Sequence, residues 1–275
     1  MATAELLTLQ EAADVVGCHY QTLYRRVRRG EIPALVAGGT YRIERADLDR
    51  WLRERDGARG AVPTRRERDW SRQVDALLAV LVAGDAVAAR KQVDRLLDGG
   101  AGVGELCDAL FAPTLAEIGE RWHRDELSIA DEHRASRIIE GLLEHAGSVR
   151  PKTGPKLGSI VVATAVGDRH ALAAQMVAAA LRAEGFSVLY LGAELPADEI
   201  VGMARREQAD AVALSCCVDD HSGLATTIEA VAAAGFPVMV GGSGIGSDEA
   251  ERLGAARCGG SIADAQRLAR ELVRP

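Results

Sequence analysis

The sequence predicts a multidomain protein: a winged helix-turn-helix at residues 1–56, an all-α four-helix bundle at 67–147, and an α/β doubly wound, flavodoxin-like domain with a five-strand parallel sheet at 158–275. Three observations carry that reading. The hydrophobic period changes along the chain, from short mixed runs, to continuous helical spacing, to apolar runs alternating with helical stretches. Gly-, Pro- and Arg-rich GARGAVPTRR marks a linker over 57–66, and SVRPKTGPKL marks a second over 148–157. Charge is divided too: residues 1–72 hold 14 Lys+Arg against 11 Asp+Glu, leaving 19 against 29 for the remainder. A basic head on an acidic body suggests a nucleic-acid-facing segment.

In the head, LTLQEAADVVGCHYQTLYRRVRRGEIP reads as a short helix from about Gln10 to Val16, a turn at Gly17, and a second helix from about Tyr20 to Arg29 stopped by Gly30 and Pro33. ALVAGGTYRI follows as a hairpin or wing around Gly38-Gly39, and RADLDRWL closes the unit as a helix. In the bundle, helices are expected at about 67–82, 85–98, 102–124 and 129–146, broken at Gly84-Asp85, Gly99-Gly100 and near Leu127-Ser128. In the third region, SIVVATA, SVLYLG, AVALSCC, PVMVGG and AARCGG are the strands, with helices starting near His170, Pro196, Ser222, Ser247 and Ser261. Sheets of this kind bind ligands at the carboxyl ends of their strands.

Composition excludes several classes. With 48% hydrophobic and 27% charged residues among 275, the chain reads as globular, and no run approaches the roughly 20 apolar residues of a membrane span. MATAELLTLQ lacks the features of a secretory signal, so a cytoplasmic location without membrane association is expected. Five cysteines, Cys18, Cys107, Cys216, Cys217 and Cys258, show no CxxC spacing and argue against a disulfide framework or a zinc site. Cys216 and Cys217 read as packing, and His145 and His221 as solvated surface.

Four groups of residues carry chemistry. Arg25, Arg26, Arg28 and Arg29, with His19, Gln21 and Thr22 at the start of the second helix and Arg42 on the wing, supply phosphate contacts and base-edge groups for double-stranded DNA. In TAVGDRHALAAQM, His170 follows Asp168 by two residues where strand gives way to helix. A carboxylate there can fix the tautomer of a metal-binding imidazole. In RWHRDELSIADEH, Ser128 and Asp131 form a capping box, so one helix ends near Arg124 and the next begins. Trp122 and His123 therefore share one end of the bundle with Glu132 and His133.

These motifs resemble known families. Residues 6–53 are similar to excisionase-like, MerR-related helix-turn-helix domains. DRHALA resembles the D-x-H-x-x-G cobalamin signature, best known from methionine synthase, with Ser215 at its S-x-L element and Gly241-Gly242 at its Gly-Gly element. Ala173 stands where that signature has glycine, and Cys217 where it has leucine. The resemblance implies His170 as lower cobalt ligand, Asp168 as its partner, and the two glycines beside the nucleotide tail.

Trp122, Glu132 and His133, in the spacing W-x(9)-E-H, resemble the CarH/LitR type of cobalamin-dependent photoreceptor transcription factors. That resemblance implies adenosylcobalamin as cofactor, Trp122 and Glu132 against the adenosyl group, and His123 as an upper cobalt ligand after photolysis. It further implies a regulator, not an enzyme, that represses from operator DNA as a light-dependent oligomer, dimers pairing to a tetramer. A corrinoid methyl carrier, or a regulator sensing another ligand such as haem, remain as alternative readings.

Overall fold

A computed structural model describes residues 6–16, 27, 32–37, 40–51, 68–149 and 154–273. They fall into two compact units that divide between Arg68 and Asp69.

The first unit holds β1 (Leu6–Thr8), α1 (Leu9–Val16), β2 (Leu35–Ala37), β3 (Thr40–Glu44) and α2 (residues 45–51). The strands form an antiparallel sheet in the order β1-β3-β2. The hairpin of β2 and β3 was expected; β1, which pairs Leu7 with Ile43, was not. α1 starts where Thr8 and Glu11 cap one another: Glu11 N–H donates to the Thr8 hydroxyl at 3.1 Å and Thr8 N–H donates to the Glu11 carboxylate at 2.7 Å. Leu7, Leu9, Ala12, Val27, Ile32, Ile43 and Leu48 make the core. Of the second expected helix only Val27 is among the described residues; His19, Gln21, Thr22, Arg25, Arg26, Arg28 and Arg29 lie outside them. Arg42 is half-buried on the central strand, opposite Thr8 and Leu35.

The second unit begins with the bundle: α3 (Trp70–Val82), α4 (Ala86–Asp98), α5, and α6 (Ile129–Val149). α3 starts three residues later than expected because the Asp69 side chain accepts from Arg72 N–H at 3.1 Å and sets the first turn. α5 runs as Val103–Leu106, a π-helical turn Cys107–Phe111, and Ala112–His123. The wide turn precedes Pro113, whose ring crowds the carbonyl four residues back in a regular helix. Leu77, Leu81, Val93, Leu106, Leu110, Phe111, Ile118, Ile139 and Leu143 fill the bundle.

The rest of this unit is the sheet β4 (Ser159–Ala165), β5 (Ser187–Leu195), β6 (Ala211–Ser215), β7 (Val238–Gly241) and β8 (Ala256–Arg257), with α7 (Ala171–Glu184), α8 (Ala197–Arg206), α9 (Ser222–Ala233), α10 (Ser247–Arg252) and α11 (Ile262–Leu272). All strand pairs are parallel, in the order β5-β4-β6-β7-β8. That is the flavodoxin-like order, and it places the topological switch between β4 and β6. β4 is buried from Ile160 to Ala165, as SIVVATA demands of a central strand covered on both faces. The fifth strand is shorter than AARCGG suggested.

Bundle and sheet are joined by packing. Met176 and Ala179 of α7 belong to the bundle core, with Leu172, Ala173, Ala183 and Ile262 packed against it. In the π-helical turn, Asp108 accepts the backbone N–H of Ile262 on both carboxylate oxygens, at 2.8 and 3.1 Å, and so caps α11 from another element.

Candidate functional site

The loop after β4 brings Asp168 and His170 to the switch point. Asp168 is only 3% exposed. Its Oδ1 accepts from His170 N–H at 2.8 Å and lies 2.8 Å from His170 Nδ1, while its Oδ2 accepts from Cys217 N–H at 2.7 Å across the switch. Nδ1–H therefore donates to the carboxylate, and Nε2 of the 61% exposed imidazole keeps its lone pair. His170 also precedes the first turn of α7, whose Ala171 carbonyl accepts from the Tyr190 hydroxyl at 2.9 Å.

Next to this pair a cavity of about 550 Å³ opens between bundle and sheet. Ala112 and Ala116 of α5 form one wall; Ala173, Ser215, Cys217, Gly241 and Gly242 are among the residues of the other. Ser215 is 5% exposed, and among the described residues its hydroxyl has one polar neighbour, the Cys217 thiol at 4.0 Å. A buried hydroxyl so placed gains from a ligand that can bond to it. Gly242 has φ +113, and a Cβ there would strike the Cys216 carbonyl oxygen, so its lack of a side chain serves loop closure as well as the cavity. Cys107 and Cys258 also line the space; burial pushes the Cys258 thiol up to about 11 and the Cys107 thiol higher, so both are neutral packing groups.

The bundle end is arranged as the capping box implied. Asp131 N–H donates to the Ser128 hydroxyl at 3.1 Å, Ser128 N–H returns to the Asp131 carboxylate at 3.2 Å, and the preceding helix stops at His123. His123 lies eleven residues after Ala112, about three turns on, and so continues the stripe of Ala112 and Ala116 that walls the cavity. Trp122 instead continues the stripe of Leu115 and Ile118, and Glu132 starts the one of Ala135 and Ile139, which places both at the open end of the bundle core. Trp122 is 39% exposed, with its ring centroid 4.7 Å from that of His123. Glu132 accepts from the Ser136 hydroxyl at 2.7 Å and lies 2.6 Å from His133 Nδ1.

Two histidines depart from expectation. His145 is not solvated surface: its side chain is 14% exposed, with Nε2 2.5 Å from Asp94 and Nδ1 2.9 Å from the Arg90 guanidinium. His221 donates from Nε2 to the Gly244 carbonyl at 2.7 Å and is 22% exposed. Both contacts span dozens of residues or another loop, and no local pattern announces them.

The chain resembles known proteins in three regions. Residues 158–269 match a B12 binding domain, residues 73–146 match a second family described as a B12 binding domain, and residues 6–56 match a helix-turn-helix domain. The HTH-type transcriptional repressor CarH of Myxococcus xanthus is 30% identical over 53% of this chain and 50% of its own length. The HTH-type transcriptional repressor CarA of the same organism is 34% identical over 65% of this chain and 58% of its own. The chain thus spans about half the length of the curated relatives it matches. The monomethylamine corrinoid protein of Methanosarcina barkeri, 17% identical, shares the fold over 74% of this chain and 99% of its own, with a TM-score of 0.60.

Proposed function

We propose that this chain is a cobalamin-binding, DNA-binding transcriptional regulator of the CarH type, with adenosylcobalamin as its light-sensing cofactor. The observation that carries the reading is the Asp168–His170 pair at the sheet's switch point, beside a cavity whose far wall is the bundle. The residues present fit a corrinoid: an imidazole with its tautomer fixed, a buried Ser215 hydroxyl directed to the cavity, and small side chains along α5. Matches to a helix-turn-helix domain and to two repressors point to regulation of transcription rather than catalysis.

In this reading His170 offers Nε2 from the sheet side, and the Asp168 carboxylate, by accepting from Nδ1–H, fixes the orientation of the ring. Trp122 gives an indole face for a nucleoside, and Glu132, steadied by Ser136, accepts from ribose hydroxyls. His123 is the second imidazole, on the bundle side, and His133 flanks Glu132. Bound adenosylcobalamin would supply a cobalt–carbon bond that visible light breaks. The arginines of the head hold operator DNA, and several heads joined in an oligomer, dimers pairing to a tetramer, hold it more tightly than one. Loss of that oligomer in light would release the operator.

The test is a visible absorption spectrum of protein loaded with adenosylcobalamin in the dark, taken before and after green light, with size-exclusion chromatography and a DNA mobility shift on both samples. A corrinoid spectrum that changes together with oligomer size and DNA affinity is expected. Corrinoid bound with no response to light, and methyl transfer in the presence of a partner methyltransferase, would favour a corrinoid methyl carrier. No bound corrinoid would leave a regulator of another ligand such as haem.

A further inference from the structure

Arg257, at the end of β8, is held by backbone carbonyls. Its Nε–H donates to the Ile245 carbonyl at 3.0 Å, one terminal nitrogen to Gly259 at 3.1 Å and the other to Gly242 at 3.1 Å. No carboxylate pairs with it among the described residues, although other arginines of the same domain, Arg252, Arg267 and Arg270, each have one. Three backbone carbonyls satisfy three of its five donors without bringing a formal counter-charge. The two terminal nitrogens each keep one donor that a ligand oxyanion could accept from. Arg257 is half-buried, and it lines the cavity together with Gly242, Ser243, Gly259 and Gly260. The other charged group lining the cavity, Asp108 on the bundle side, is occupied by the Ile262 N–H on both oxygens.

We infer that Arg257 is the anchor for a phosphate group of the ligand that enters this cavity. The inference rests on the corrinoid reading above and deepens it: the nucleotide tail of such a ligand carries one phosphodiester, and Arg257 is the cation of the wall it must pass. The three carbonyl contacts hold the guanidinium in place before the ligand arrives, so little rotamer freedom is lost on binding. They also tie the loops after β7 and β8 together around the tail.

Two corrinoids that differ by the phosphate alone separate this role from simple bracing of the loops. Binding of adenosylcobinamide and of adenosylcobinamide phosphate is measured by spectral titration, beside adenosylcobalamin, for the unaltered chain and for Arg257→Gln. The unaltered chain should prefer the phosphate-bearing ligand by about tenfold or more, the scale of a charge-assisted hydrogen bond. Arg257→Gln should remove the preference, so that the phosphate-bearing and phosphate-free ligands bind it alike. A preference that survives in Arg257→Gln, or that is missing from the unaltered chain while adenosylcobalamin binds, overturns this role and leaves the cofactor reading intact. Binding of none of the three by the unaltered chain would overturn both. If Arg257→Gln folds poorly, Arg257→Lys, which keeps the charge without the fork, should show a smaller preference than the unaltered chain, and an unchanged one would overturn the role.

Discussion

Asp168 accepts three N–H groups on two buried oxygens, one from the His170 backbone, one from its ring and one from Cys217. An amide cannot do this, because one of its two polar atoms is a donor that would face another donor. Asp168→Asn should therefore cost about 1–3 kcal/mol, the range for a buried polar group left unsatisfied, and weaken corrinoid affinity by about 10–100-fold through a misoriented His170. Denaturant unfolding and spectral titration of the same protein would measure the two effects; an unchanged affinity would count against His170 as a ligand. The pair was legible in the sequence because both residues lie in one loop, and D-x-H needs no long-range knowledge. The Cys217 bond was not, since it links residues 49 apart. The same reason hid the Ile245 and Gly242 contacts of Arg257 and the seats of His145 and His221, each made by residues distant in sequence.

At the scale of elements, the start of α6 was written in the sequence and its partner helix only in part. Ser128 and Asp131 cap each other as S-x-x-D spacing requires. The Ser128 hydroxyl, then its backbone N–H, hold the Asp131 carboxyl below its ordinary value of 3.8. A carboxyl held low in the folded state stabilises above the ordinary value, and that stability is lost as pH falls through the lowered one. Ser128→Ala should lower Tm by a few degrees near neutral pH and by less in acid, a trend that thermal melts across pH would show or refute. The π-helical turn of α5 was illegible, because helical periodicity averages over a single widened turn and only Pro113 hints at it. Its consequence is functional, since it sets which face of the following helix meets the cavity. Ala116 lies on that face and is exposed, so Ala116→Leu should block corrinoid binding and leave Tm nearly unchanged. A variant that binds as before would show that the ligand lies elsewhere.

For the whole molecule, the sequence separates bundle from sheet at a Pro- and Gly-bearing linker, and the packing joins them again. α7 explains why. Its Leu172, Met176, Ala179 and Ala183 repeat at helical spacing and face the bundle, while Ala174, Ala178 and Leu181 face the sheet. A helix apolar on both faces needs cover on both. Periodicity reports that such a helix is buried but not by what, so the shared core could not be read from the sequence. A chain beginning at Asp69 keeps both covers and should melt in one transition, bind corrinoid as the full chain does, and rise in Tm with ligand concentration, because binding at the joint stabilises both parts. A chain beginning at Gly154 would leave the Leu172–Met176–Ala179–Ala183 stripe open and lose the Asp108 cap on α11. It should melt well below the longer chain and bind a hydrophobic dye. Equal melting temperatures would mean that the sheet is stable without the bundle, so that the bundle could move away from the site at little cost to the fold.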